Sequence, residues 1–311
     1  VVGGNTAWLV QAYDVATGTL QWGDRFGVGM DNRAIGVAEH DGRVFVSGRA
    51  QPLGAAHSDW FVRAYDASSG TVLWEDYAPD RIGGQAGLIA VEGNRVIAVG
   101  SVVTRTTTPP FSNHDWRIRV YDAKTGALLW QDIVDKGGFS FPEAAFDVTV
   151  LDGRAFVVGS GGAGCSLNVT APDNCDFIVR AYKLKTGRLL WEDQLDRAPF
   201  DLATSVAAKD GKVFALGLGG NDCDNSELTL TNCDLLIRAY KPKSGKVLWE
   251  DQVDSMGTDD ASEDIAADDG KVFVASVVVD PTDLLGDLLV RAYDAEGDDD
   301  EDRDDDDDGD D

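Results

Sequence analysis

One phrase recurs six times along this chain, and that recurrence constrains the fold more than any composition does. The copies read WLVQAYDVATGTLQW (8–22), WFVRAYDASSGTVLW (60–74), WRIRVYDAKTGALLW (116–130), FIVRAYKLKTGRLLW (177–191), LLIRAYKPKSGKVLW (235–249) and the shorter LLVRAYDAEG (288–297). Their tyrosines, Tyr13, Tyr65, Tyr121, Tyr182, Tyr240 and Tyr293, set a period of 52 to 61 residues. A period of that size means stacked supersecondary units, each unable to bury its apolar face without a neighbour.

Each full period contains four strand-like segments, as in 203–211, 212–217, 234–241 and 246–253. The first two join through Asp41-Gly42, Gly93-Asn94, Asp152-Gly153, Asp210-Gly211 and Asp269-Gly270, pairs suited to two-residue hairpin turns of positive φ. The last two join through turns carrying Gly18, Gly70, Gly126, Gly187 and Gly245. Four antiparallel strands per repeat, arranged radially, make a β-propeller blade, so the predicted fold is all-β. Residues 1–4 read as a second strand, so the first blade is expected to hold strands two to four. Four complete blades follow, and the last ends after its third strand near Gly297. This strand order predicts a six-bladed ring with incomplete terminal blades, closed by a segment ahead of Val1. Five blades, or a piece of a longer propeller, are the alternatives.

The phrase AYD-x-x-TG-x-x-LW resembles the tryptophan-docking motif of pyrroloquinoline-quinone-type (PQQ-like) propeller repeats. That family includes quinoprotein dehydrogenases and non-catalytic propellers of the outer-membrane assembly lipoprotein kind. The resemblance covers residues 1–297. It implies that Trp22, Trp74, Trp130, Trp191 and Trp249 pack between neighbouring blades. It also implies that a quinone enzyme would carry eight blades, two adjacent cysteines and a calcium-bound catalytic aspartate. No two of the four cysteines here are adjacent, which places the chain with the non-catalytic branch.

Apolar residues make up 43% of the 311, enough for a substantial core, and no apolar run of eighteen suggests a membrane span. The formal charge of −28 divides unevenly: residues 298–311, DDDEDRDDDDDGDD, carry −11, and the preceding 297 carry −17. We read 1–297 as the propeller and 298–311 as an acidic tail or linker. So negative a field repels nucleic-acid phosphates and anionic membranes. Asp304, Asp306, Asp308 and Gly309 mimic the first half of a calcium loop, and calcium bound loosely at the tail is the only metal or cofactor expected.

The cysteines form two pairs of matched spacing, Cys165/Cys175 and Cys223/Cys233, each ten residues apart and just ahead of a repeat strand. Zinc sites usually show C-x-x-C spacing, so two local disulfides fit better. Asn168-Val169-Thr170 lies within the first loop and is a glycosylation sequon. Together these features point to an oxidising, extracellular or periplasmic home.

In a propeller, the loops between strands two and three share one end with those entering each innermost strand. Here these are the long ones: 50–58, 76–86, 101–114, 133–143, 160–175, 218–233, 252–262 and 276–286. Binding sites concentrate on loops held by a rigid scaffold, so this end is the candidate face for a protein or glycan partner. The repeated arginine (Arg63, Arg119, Arg180, Arg238, Arg291) is read as structural, paired with carboxylates such as Asp76, Asp132, Asp193 and Asp251 of the outer strands. His57 and His114 sit in equivalent loops of neighbouring blades but make only a weak metal signal. Asp147 and Asp264 occupy equivalent inner-strand positions facing the central channel. The glycine-rich GSGGAG (159–164) opens no helix and is no dinucleotide fingerprint. Trp60, at the start of a strand beside a loop, is expected to matter less for stability than Trp191. The functional expectation is a non-catalytic extracellular scaffold or binding module. A quinone-dependent oxidoreductase and a subunit assembling through its terminal blades are the alternatives.

Overall fold

The computed structural model describes residues 6–27, 29–79, 83–106, 112–137, 143–162, 165, 175–220, 223, 233–253, 261–279 and 286–295. Every helix or strand among them is a strand. No helix among them is long and apolar enough to cross a membrane.

The strands form six antiparallel sheets. A two-stranded sheet pairs β1 (Trp8–Tyr13) with β2 (Leu20–Phe26). The second sheet runs in order through β3 (Gly29–His40), β4 (Arg43–Pro52), β5 (Asp59–Asp66) and β6 (Val72–Ala78). The third contains β7 (Gly84–Glu92), β8 (Arg95–Thr106), β9 (Ser112–Asp122) and β10 (Leu128–Val134). In the fourth are β11 (Ala144–Leu151), β12 (Arg154–Gly161), β13 (Asp176–Lys183) and β14 (Leu189–Leu195). The fifth holds β15 (Leu202–Lys209), β16 (Lys212–Gly219), β17 (Asp234–Tyr240) and β18 (Val247–Val253). Last comes a three-stranded sheet of β19 (Ala261–Asp268), β20 (Lys271–Val279) and β21 (Gly286–Asp294). Each repeat is thus one propeller blade, the first and last holding fewer strands than the rest among the described residues.

Side chains alternate along each strand, so every inner sheet buries both faces against its neighbours. On β5, Trp60, Val62 and Ala64 face the third sheet and pack with Ala86, Ile89, Val96 and Ala98. Phe61 and Tyr65 turn the other way, onto Trp8, Trp22 and Phe26 of the first sheet. The core is therefore a series of inter-blade layers rather than one central mass.

The repeated motif is the clasp between those layers. Trp22 donates from Nε1 to the Ala67 carbonyl at 2.8 Å, Trp74 to Ala123 at 3.0 Å, Trp130 to Leu184 at 2.9 Å and Trp191 to Pro242 at 2.8 Å. Each acceptor belongs to the turn of the next blade. The glycine of that turn has positive φ, and a Cβ on Gly70, Gly126, Gly187 or Gly245 would fall 2.6–2.8 Å from the preceding blade's indole. Glycine is thus required twice at one position. Beside the clasp, the Tyr65 hydroxyl donates to Asp24 at 2.9 Å, and Tyr121, Tyr182, Tyr240 and Tyr293 do the same to Asp76, Asp132, Asp193 and Asp251. The repeated arginine joins the same carboxylate: Arg63 to Asp24 at 3.0 Å, Arg119 to Asp76 at 2.8 Å, Arg180 to Asp132 at 3.4 Å. Arg238 and Arg291 follow with Asp193 and Asp251. Because each aspartate lies on the preceding outer strand, the ion pair ties blade to blade. Burial pushes the Tyr65 hydroxyl pKa up to about 12, so it stays a donor to its aspartate.

Trp60 corrects the sequence reading. It is fully buried, with Nε1 donating to the Tyr121 hydroxyl at 2.9 Å, whereas Trp191 is only half-buried. The reason is radial position. Trp60 lies between two sheets, while Trp191 rests on a surface turn at the rim.

Candidate functional site

The two ends of the blades differ in chemistry. At one end the connections β3–β4, β11–β12, β15–β16 and β19–β20 are two-residue turns, with Asp41, Asp152, Asp210 and Asp269 at φ near 50°. At the other end run the long connections. Two disulfides brace it: Cys165–Cys175 with S–S 2.06 Å and Cys223–Cys233 with S–S 1.97 Å. All four sulfurs join one apolar cluster with Ala198, Phe200 and Leu218. Cys175 also exchanges backbone hydrogen bonds with the entry to β15: its N–H reaches the Pro199 carbonyl at 3.1 Å, and Asp201 N–H reaches its carbonyl at 2.6 Å. Asn168 and the tail aspartates Asp304, Asp306 and Asp308 lie outside the described residues.

On this long-loop end, the seam between the second and third sheets opens into a cavity of about 440 Å³. Arg49 and Gln51 of β4, Gln85 of β7, and Ser101 and Val103 of β8 line it. His57 and Ser58 come from the β4–β5 loop, Gly83 and Gly84 from the entry to β7, and His114 from β9. Backbone hydrogen bonds fix the seam: Gly84 N–H to the Ser58 carbonyl at 2.9 Å, and Val103 N–H to the Gly83 carbonyl at 3.0 Å. Gly83 has φ +110°, and a Cβ there would lie 3.1 Å from His57 Cβ, so the bare backbone makes room for the imidazole. Arg49 crosses the seam, with Nη1 donating to Gln85 Oε1 at 2.7 Å and Nη2 to Asp31 at 2.6 Å. Desolvation pushes the His114 imidazole pKa down, so near neutrality it serves as an uncharged donor and acceptor. The two histidines, a weak signal in sequence, thus converge on one cavity.

Deeper in the fold, the inner strands β11, β15 and β19 meet through polar groups. Ser205 Oγ lies 3.0 Å from Asp147 Oδ2 and 3.0 Å from Asp264 Oδ1, joining three successive blades. Both aspartates sit just past the bulge in their strand, where the kink re-aims the side chain. Asp147 also accepts from the Val148 and Val206 N–H groups, and burial raises its pKa. These carboxylates are structural links between blades.

The sequence reading missed one further cluster. Asp115, Asp135 and Glu143 bring carboxylate oxygens within 4.8 Å of one another at the next seam, and such oxygens could hold a hard cation. Asn113 Nδ2 fixes Asp115 at 2.9 Å, and Gly162 N–H approaches Glu143 at 3.4 Å. Nothing in their sequence spacing marks them, because they come from two different repeats.

Comparison with known proteins agrees with this architecture. The model of the family described as outer membrane protein assembly factor BamB matches residues 7–221 and again 58–296. A tetrathionate hydrolase from Acidithiobacillus ferrooxidans is 27% identical over 203 residues, 64% of this chain and 34% of that protein. The chain therefore spans about a third of that relative's length. Among solved structures, a europium-containing methanol dehydrogenase superposes with TM-score 0.50 and 12% identity, covering 93% of this chain and 63% of that one. The Kuenenia stuttgartiensis hydrazine synthase also gives 0.50, with 9% identity over 86% of this chain and 70% of that one. At these identities the structural likeness establishes the propeller fold and no more. With the inter-blade clasps in place and a family match running from residue 7 to residue 296, the chain belongs to the PQQ-like propeller-repeat family described by the BamB assembly factor.

Proposed function

We propose that this chain is a non-catalytic propeller of an oxidising, extracytoplasmic compartment that binds a protein or glycan partner on its long-loop end. One observation carries the reading: a rigid stack of clasped blades presents long, disulfide-braced loops at one end and two-residue turns at the other. Loops on such a scaffold can vary without disturbing the core. Two disulfides suit an extracytoplasmic home. Both cystines pack into an apolar cluster, the arrangement of a structural brace.

The test has two arms. Cross-linking of partners captured from the extracytoplasmic fraction should map to loops such as 50–58 and 218–233. Cross-links confined to the Asp41, Asp152 or Asp210 turns would overturn the assigned face. The second arm supplies pyrroloquinoline quinone and calcium with an alcohol and a redox dye, and separately tetrathionate, after the name of the relative above. Dye reduction or tetrathionate consumption at enzymatic rates would replace the scaffold reading with an enzymatic one.

A second reading, assembly through the terminal blades, is favoured by exposed apolar side chains there. Tyr13 is 55% exposed and Leu288 74%, whereas the equivalent Tyr65, Tyr121, Tyr182 and Tyr240 are fully buried.

A further inference from the structure

We propose that the cavity at the seam of the second and third blades binds a small organic anion, a carboxylate or sulfonate, through Arg49, with His57 and His114 at its sides. The inference rests on the long-loop end being the binding end, and it assigns a ligand class to one place on that end.

Size comes first. A cavity of about 440 Å³ falls within the roughly 300–1,000 Å³ typical of small-molecule sites. Charge is the second argument. The chain carries 55 acidic residues among 311, yet none of the described residues lining this cavity is Asp or Glu. Arg49 is the fixed cation. Its neighbour Asp31 is shared with Arg33, whose Nε lies 3.2 Å from Asp31 Oδ1, so one carboxylate faces two guanidinium groups and one positive charge is left over. The Arg49 side chain is 21% exposed and lines the cavity, so it is open to a ligand held there. A guanidinium lining a cavity without carboxylates favours an anionic oxygen, which forms a short charge-assisted hydrogen bond.

The remaining lining sets the ligand's other end. Gln51, Gln85, Ser58 and Ser101 offer neutral donors and acceptors, while Val103 and Ala56 give apolar contact. That mixture suits an acid with a short carbon body better than a bare inorganic ion. A divalent metal fits poorly. Two imidazoles supply half a tetrahedral set, and the guanidinium beside them repels a cation.

The histidines make the test direct, because the chain has three. His57 and His114 line the cavity, while His40 ends β3 beside the Asp41 turn, at the opposite end of the blade. Histidine Hε1 resonances are followed by NMR while benzoate, benzenesulfonate or uncharged benzyl alcohol is added to the full chain. Either anion should give saturable shifts of His57 and His114 with His40 still, and benzyl alcohol should give none. Arg49→Gln should weaken anion binding by at least about tenfold. His57→Gln, on the exposed rim, should weaken it less and leave the melting temperature unchanged, so a loss there is not a loss of fold. The proposal is overturned if His40 shifts in parallel, if benzyl alcohol binds equally well, if Arg49→Gln retains full affinity, or if only zinc chloride moves the two histidines. Absence of anion binding with cross-links still on the long loops would sink this proposal alone. Cross-links on the tight turns would sink the face itself.

Discussion

At the scale of single residues, the clasp glycines and one buried carboxylate carry the clearest consequences. Gly187 has φ +73°, and a Cβ there would meet the Trp130 ring at 2.8 Å; Gly153 has nearly the same φ, +69°, with nothing within 4 Å. Alanine at either position suffers left-handed strain of about 1–2 kcal/mol. Only Gly187→Ala must also displace an indole, adding about 1–3 kcal/mol of overpacking. Denaturant titration should therefore rank Gly187→Ala clearly below Gly153→Ala, and equal losses would show that the indole does not rest on that turn. Asp201 is buried, accepting from the Arg197 and Ala198 N–H groups through Oδ2, while Oδ1 has no partner among the described residues. Desolvation, outweighing those two hydrogen bonds, raises its pKa to about 6 from an ordinary 3.8. A raised carboxyl pKa means the folded state binds the proton more tightly than the unfolded chain does. Its contribution is complete below about pH 4 and is lost as pH rises through 6, amounting to up to about 3 kcal/mol. Asp201→Asn should remove that component, so the stability difference between wild type and variant should change between pH 4 and 7. A flat difference would place the carboxyl in water.

At the scale of the strand and its blade, the most informative comparison is between two tryptophans. Trp60 fills the layer between the second and third sheets, whereas Trp191 clasps a rim turn from a half-buried position. Trp60→Ala should cost about 3–5 kcal/mol, at the upper end for a core aromatic, and Trp191→Ala less. Thermal melting that ranked Trp191→Ala as the worse variant would contradict this order. The same pair shows what was legible beforehand. Four strands per repeat could be read directly, because residues that tolerate positive φ, such as Gly187 and Asp152, recur at fixed offsets. The arginine–aspartate pairs were legible as chemistry, since a mid-strand guanidinium between covered faces requires a carboxylate. That the aspartate belongs to the preceding blade was not legible, because a period says nothing about which neighbour a side chain faces. Trp60 was misjudged for a related reason: proximity to a loop in sequence does not give radial depth. The seam cavity escaped for a third. His57 and His114 are one period apart, and only the backbone path of Gly83 and Gly84 brings their loops to one opening.

At the scale of the whole molecule, the proposed assembly rests on the first and last sheets. Five tyrosines of the repeat rest near the tryptophan of the preceding blade, as Tyr240 does on Trp191 at 5.6 Å and Tyr293 on Trp249 at 5.6 Å. Tyr13 has no such indole among the described residues and is 55% exposed, with Leu9 beside it at 61%. In the three-stranded sheet, β21 has no outer partner among the described residues, and Leu288 and Val290 are 74% and 64% exposed. Unpaired strands with exposed apolar side chains template pairing with another chain. Opposing this is the net charge of −28, whose repulsion reaches about 8–10 Å at physiological ionic strength and shrinks as salt is added. Sedimentation of residues 1–311 should accordingly show weight-average mass rising with protein concentration, and rising further with salt. Charged substitutions on the exposed sheets, Leu288→Lys or Tyr13→Lys, should lower that association without lowering the melting temperature, because neither side chain is buried in the monomer. A mass independent of concentration at both low and high salt would mean that the first and last sheets satisfy each other within one chain. In that case the two substitutions should destabilise the monomer instead, so the melting temperature separates ring closure from self-assembly.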